Sequence, residues 1–166
     1  MFSWDSNGVI TAMDSVFEFS ATFNGRGFQP QLLDATHILH CYEAASGTGE
    51  ATVFQINTNT GVITQSGDSV DFVPAGVDAD SGIDLIKMAT DVYLCVFVDN
   101  GLDDSYAVIV TTESNVVAST TGSATITSNG FSERANIKFG NNYFISAYQE
   151  KTSGDGFVKL FKVDPA

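Results

Sequence analysis

Basic residues are scarce in this chain: seven Lys and Arg stand against twenty Asp and Glu, a formal net charge of −13. Repulsion on that scale opposes unassisted binding to a nucleic-acid backbone or an anionic membrane surface, so neither is expected as a partner. Long apolar runs are missing too, and without one of bilayer length no membrane insertion is expected. The opening residues MFSWDSNG carry neither the basic nor the apolar region of a signal peptide. Cysteine is limited to Cys41 and Cys95. Both lie inside apolar alternating runs and are expected as free, buried thiols. Also missing are a Gly-x-Ser-x-Gly elbow, a phosphate-binding glycine loop and a Cys-x-x-Cys pair. Gly25 and Gly27 in "NGRG" lack the strand-to-helix context that a nucleotide loop requires.

What remains is a chain of 166 residues, 43% hydrophobic, enough for one domain with its own core. Val, Ile, Thr, Phe and Tyr are common, and Gly, Asn, Asp and Ser interrupt them at short intervals. This is the composition of many short strands joined by tight turns, and it predicts an all-β fold. The acidity has three readings: plain solubility, cation binding, and attraction of a basic partner.

The stretch GVITAMDSVFEF at 8–19 returns as GVITQSGDSVDF at 61–72. Repetition at this distance speaks of architecture. The stretches LLDATHILHCYE (32–43), KMATDVYLCVFVD (87–99) and KFGNNYFISAYQE (138–150) extend the pattern. Leu33, Met88 and Phe139 correspond; Ile38, Tyr93 and Phe144 follow, then Tyr42, Phe97 and Tyr148, at even spacing along one strand face. A second alternating run comes next in each copy (51–57, 107–113, 158–164), and then the strand of the opening motif (61–72, 115–127, and the N-terminal 8–19). A short run near 83–88 or 135–139 leads into the next copy.

Each unit is therefore four short strands in about 50–55 residues, the size of one β-propeller blade. The predicted units are 28–72, 83–127, and 135–164 completed by 8–19. A blade cannot cover both of its own faces, so each copy rewrites the apolar pattern on which its neighbour stacks. Pairing of 8–19 on 157–163 would assemble one blade from both termini and remove an open edge. Three blades are fewer than the usual minimum of about four for a closed ring. The expected assembly is a twofold homodimer forming a six-bladed ring, with terminal strands completing a blade of the other chain. Residues 2–4, FSW, duplicate the end of the strand supplied by 160–163 and are redundant in this scheme.

With "THILHCYEAASGTGEATVFQIN-TNTGVIT" as the fullest copy, these units resemble the repeats of β-propellers in phage tail and virion proteins and in bacterial surface proteins. In assembly the chain is also similar to small propeller lectins whose short chains combine into one ring. The resemblance implies a recognition or structural role on a virion or cell surface, with a glycan or protein as ligand. Those lectins place Trp in every sugar site, whereas Trp4 is the only Trp here.

Residues with chemistry are few. His37 and His40 are three apart on an alternating strand, so they point to opposite faces and cannot share a metal; a structural role is expected of both. Asp78 and Asp80 in DADSG have a spacing that can bend oxygen ligands around Ca²⁺, as can Asp99, Asp103 and Asp104 in DNGLDDS; an Asx-rich turn is the competing reading of each. Arg26 and Arg134 fall in equivalent loops ahead of the innermost strand, where propeller loops ring one mouth of the channel. Asn24, Arg26, Asp78, Asp80, Glu133 and Arg134 form the predicted ligand-facing set, the competing reading being solvated turns. No catalytic residue is assigned. Two functions follow: a non-enzymatic binding or structural module, which the missing catalytic motifs favour, or a hydrolase or lyase with paired carboxylates at the channel mouth.

Overall fold

The computed structural model describes residues 2–4, 10–12, 30–44, 47–73, 82–99, 104–129 and 131–163, with the backbone alone for 2–4, 10–12, 73 and 131–133. Among these the chain is all-β and contains no helix. A hairpin of β1 (Phe2–Trp4) and β2 (Ile10–Ala12) comes first. Sheet 1 then runs in order through β3 (Gln31–Leu32), β4 (His37–Glu43), β5 (Gly49–Ile56) and β6 (Ile63–Val73). Sheet 2 runs through β7 (Asp84–Ala89), β8 (Val92–Val98), β9 (Ser105–Glu113) and β10 (Val116–Thr127). Sheet 3 has three described strands, β11 (Phe131–Phe139), β12 (Tyr143–Glu150) and β13 (Gly156–Lys162). Every pairing is antiparallel between consecutive strands, the meander that short turns dictate.

Side-chain alternation decides how the sheets stack. On β4, Leu39 and Cys41 turn one way and Ile38, His40 and Tyr42 the other. Leu39, Cys41, Ala51 and Val53 of sheet 1 meet Leu85, Tyr93, Cys95, Phe97, Val108 and Val110 of sheet 2 in one buried cluster. The opposite face of sheet 2, with Leu94, Val96, Val98 and Ala107, meets Phe144, Tyr148 and Val163 of sheet 3 in a second. Leu94 and Val96 hold the places in sheet 2 that Leu39 and Cys41 hold in sheet 1, and Phe144 and Tyr148 hold those of Tyr93 and Phe97. Both interfaces thus put an aliphatic face under an aromatic one. First strands adjoin in series, β3 to β7 and β7 to β11, and the last strands β6 and β10 adjoin at the other side. No closed barrel or ring forms among the described residues.

Cys41 and Cys95 are free and buried within the first cluster. Burial, with the Cys41 side chain beside it, pushes the Cys95 thiol well above its usual range.

The two long outer strands bend at glycines, and the two bends differ in their surroundings. Gly67 on β6 has φ +75°, and a Cβ there would lie 2.7 Å from Val116 Cγ1 of β10; Gly122 on β10 has φ +65° with nothing within 4 Å. Gly122→Ala is expected to cost the left-handed backbone penalty of about 1–2 kcal/mol. Gly67→Ala adds a collision across the sheet 1–sheet 2 contact and should cost more, which a lower denaturant midpoint than that of the Gly122 variant would show.

The N-terminal strand departs from expectation within the single chain. Ile10–Ala12 pairs with Phe2–Trp4, not with residues 157–163: Phe2 faces Ala12, Ser3 faces Thr11 and Trp4 faces Ile10. Supposedly redundant residues therefore have a partner. Among the described residues nothing pairs with the outer edge of β13.

Candidate functional site

One group of converging polar side chains lies where the first strands of sheets 2 and 3 adjoin. β11 carries Arg134, Asn136 and Lys138 on one face and Ala135, Ile137 and Phe139 on the other. The polar row faces sheet 2. Arg134 Nε donates to Asp84 Oδ2 on β7 at 3.0 Å, and its Nη2 donates to the Gly82 carbonyl oxygen. Asn136 Nδ2 donates to the same carboxylate oxygen, and Lys138 Nζ to the Met88 carbonyl oxygen. Farther out, Lys159 Nζ reaches the Ile126 carbonyl oxygen at 2.9 Å. The Arg134 side chain is only 5% exposed and that of Asp84 20%. A buried guanidinium held by a carboxylate and a carbonyl fastens two sheets together; its charge is not presented to a ligand.

This corrects the setting expected of Arg134, which belongs to the interior of a strand and not to a loop. Alternation turns it inward, and Asp84 compensates its charge. Glu133 is on the same strand, facing Gln149, with its side chain outside the described set. Asn24, Arg26, Asp78 and Asp80 lie outside the described residues, as does Asp103. Of the other loop carboxylates proposed for Ca²⁺, Asp104 accepts a hydrogen bond from Tyr106 Oη at 3.0 Å. No three of His, Cys, Asp and Glu gather among the described residues. The participants that sequence reasoning missed are Asp84, Asn136 and Lys138.

A second polar knot forms at the β3–β4 turn. Asp34 accepts from the backbone N–H groups of Thr36 and His37, from Thr36 Oγ1, and from His37 Nδ1 at 3.0 Å. Asn115 Nδ2, in the tight β9–β10 turn, donates to Asp34 Oδ2 at 3.1 Å and ties sheet 2 to sheet 1. The Thr36 N–H bond, then the His37 side chain, hold the Asp34 carboxyl well below the usual carboxylate range. Beside this turn runs a groove of about 460 Å³ lined by Thr36, Gln55, Asn57, Thr58, Thr60 and Val62. It is uncharged, and Asn57 Oδ1 already accepts from the N–H groups of Asn59 and Thr60.

His37 and His40 do diverge. His40 lies on the opposite face of sheet 1, stacked on Tyr42 with ring centroids 5.7 Å apart and tilted against Phe54 at 6.2 Å. Burial lowers its pKa from 6.5 to about 4. The folded chain thus keeps His40 neutral, while the unfolded chain gains its proton once the pH drops below about 6.5. Stability from this group is full above that pH, falls by up to about 3 kcal/mol on acidification toward 4, and changes no further below it. His40→Gln is expected to flatten this part of the stability profile. Urea midpoints at about pH 7 and about pH 4.5 should lie closer together in the variant than in the parent.

No family model matches the chain, and no curated protein matches it.

Proposed function

We propose that this protein is a non-enzymatic recognition or structural module of the β-propeller type. Its three sheets are consecutive blades, three per chain, in a six-bladed ring made by two chains. The observation that carries this reading is the equivalence of the two sheet interfaces: Leu39 and Cys41 under Tyr93 and Phe97, then Leu94 and Val96 under Phe144 and Tyr148. Stacking by equivalent positions, first strand beside first strand, is how blades bury faces they cannot cover alone. Recognition falls to the loops on this scaffold and to Glu133 on β11, with a glycan or surface protein as ligand and Asn24, Arg26, Asp78, Asp80 and Glu133 as its proposed contacts. Arg134 supports the scaffold through Asp84.

A glycan array read beside a panel of chromogenic glycosides tests this function. Retained binding without turnover is the expected result. Turnover would overturn the non-enzymatic reading in favour of a carboxylate hydrolase at the channel mouth.

A further inference from the structure

The outer face of sheet 3 gathers five of the large hydrophobic residues exposed in the described fold. Ile137, Phe139 and Tyr143 lie on it with Val158 and Leu160, which are 73% and 58% exposed. The equivalent residues of sheet 1, Ala51 and Val53, are fully buried beneath sheet 2. Among the described residues no strand pairs with the outer edge of β13 either. Next to that edge a cleft of about 160 Å³ opens, lined by Ile109, Ala124, Phe144, Phe161 and Val163 among others. In sheets 1 and 2 the last strands β6 and β10 meet instead, Thr120 Oγ1 donating to the Asp71 carbonyl oxygen at 2.9 Å. The cleft lies where a fourth strand of sheet 3 would meet β10.

The register identifies a strand that fits. In sheet 1, Ile63, Thr64 and Gln65 pair with Ile56, Gln55 and Phe54. In the N-terminal hairpin, Ile10, Thr11 and Ala12 pair with Trp4, Ser3 and Phe2 in the same order. At the end of β13 and the residue after it, the positions equivalent to Phe54, Gln55 and Ile56 are Phe161, Lys162 and Val163: Phe161 faces Phe144 as Phe54 faces Ile38, and Lys162 faces Tyr143 as Gln55 faces His37. Phe2–Trp4 and Phe161–Val163 are thus two versions of one pairing edge, both suited to Ile10–Ala12. The first forms, among the described residues, a two-stranded ladder of three pairs, and such a ladder is marginal in water without further packing. The second belongs to a packed sheet.

We infer that sheet 3 is finished by a second copy of this chain, whose strand Ile10–Ala12 leaves Phe2–Trp4 and pairs with Phe161–Val163. This rests on the propeller reading above and specifies the strand and register by which the two chains close the ring. A strand from the same chain would satisfy the edge alone, whereas a second copy also brings protein surface to the bare face of Ile137, Val158 and Leu160. Reciprocal exchange about a twofold axis leaves neither copy with an open β13 edge.

Two cysteine pairs in the full chain decide the matter. Thr11→Cys with Lys162→Cys reports the exchanged register, and Ser3→Cys with Thr11→Cys the hairpin. On oxidation the first pair is expected to give a covalent dimer on a non-reducing gel. Light scattering of the parent should return twice the chain mass. Val158→Asp with Leu160→Asp, both at exposed positions, should halve that mass and leave the far-UV spectrum unchanged. A parent of single-chain mass overturns the inference. So does a dimer in which only the hairpin pair oxidises, and so does a Thr11–Lys162 disulfide formed within one chain. Glycan binding is judged separately by the array, so failure of the exchange and failure of the recognition reading are distinct results.

Discussion

Phe97→Ala is expected to lower the unfolding free energy by about 3–5 kcal/mol, the cost of deleting a large buried ring whose surroundings collapse only in part. Phe97 is 2% exposed at the centre of the sheet 1–sheet 2 cluster, its ring 5.3 Å from that of Phe72 on β6 and 5.9 Å from that of Tyr106 on β9. Phe72 crosses from the neighbouring sheet, so truncation opens a void both sheets share. Single domains are stable by about 5–15 kcal/mol, and a loss of this size removes a large part of that margin. Equilibrium denaturation reads it directly. A lower midpoint with an unchanged slope is the outcome for sheets that unfold as one unit; a shallower slope would show that they come apart separately.

The same cluster shows what the sequence revealed and why. Phe97 was legible as a core residue because Tyr42, Phe97 and Tyr148 recur at one position of each unit, and alternation assigns them a common face. The strands lie in the alternating runs for the same reason: apolar residues at period two, closed off by Gly, Asn and Asp, leave few other ways to bury them. All-β architecture followed from composition. Alternation does not say which sheet lies against which face, nor which face stays bare. Residues 134–139 show the difficulty. Read alone, Arg134, Asn136 and Lys138 belong toward solvent and Ile137 and Phe139 toward the core. In the fold the polar row points inward, because Asp84 and the backbone carbonyls of Gly82 and Met88 await it on sheet 2. The apolar row is left outside, with Ile137 and Phe139 exposed. Polar satisfaction across an interface between residues some fifty positions apart leaves no local mark on either strand.

That inward-facing row gives the second large effect. Asp84→Ala is expected to cost about 3–5 kcal/mol, because it removes the Asp84 carboxylate from the Arg134 guanidinium buried at the sheet 2–sheet 3 junction. The Arg134 side chain is 5% exposed, so water cannot readily replace the lost carboxylate. Asn136 loses its acceptor in the same step, since its Nδ2 shares Asp84 Oδ2 with Arg134. Arg134→Met added to Asp84→Ala should recover most of the loss, because a buried pair replaced by apolar groups of similar volume is often close to neutral. A double-mutant cycle on urea midpoints therefore separates two roles. Strong coupling between the positions marks Arg134 as a fastening between sheets. If Asp84→Ala left stability within about 0.5 kcal/mol of the parent, as for an ordinary surface substitution, the guanidinium would have to be reaching water, and Arg134 would return to the residues available to a ligand.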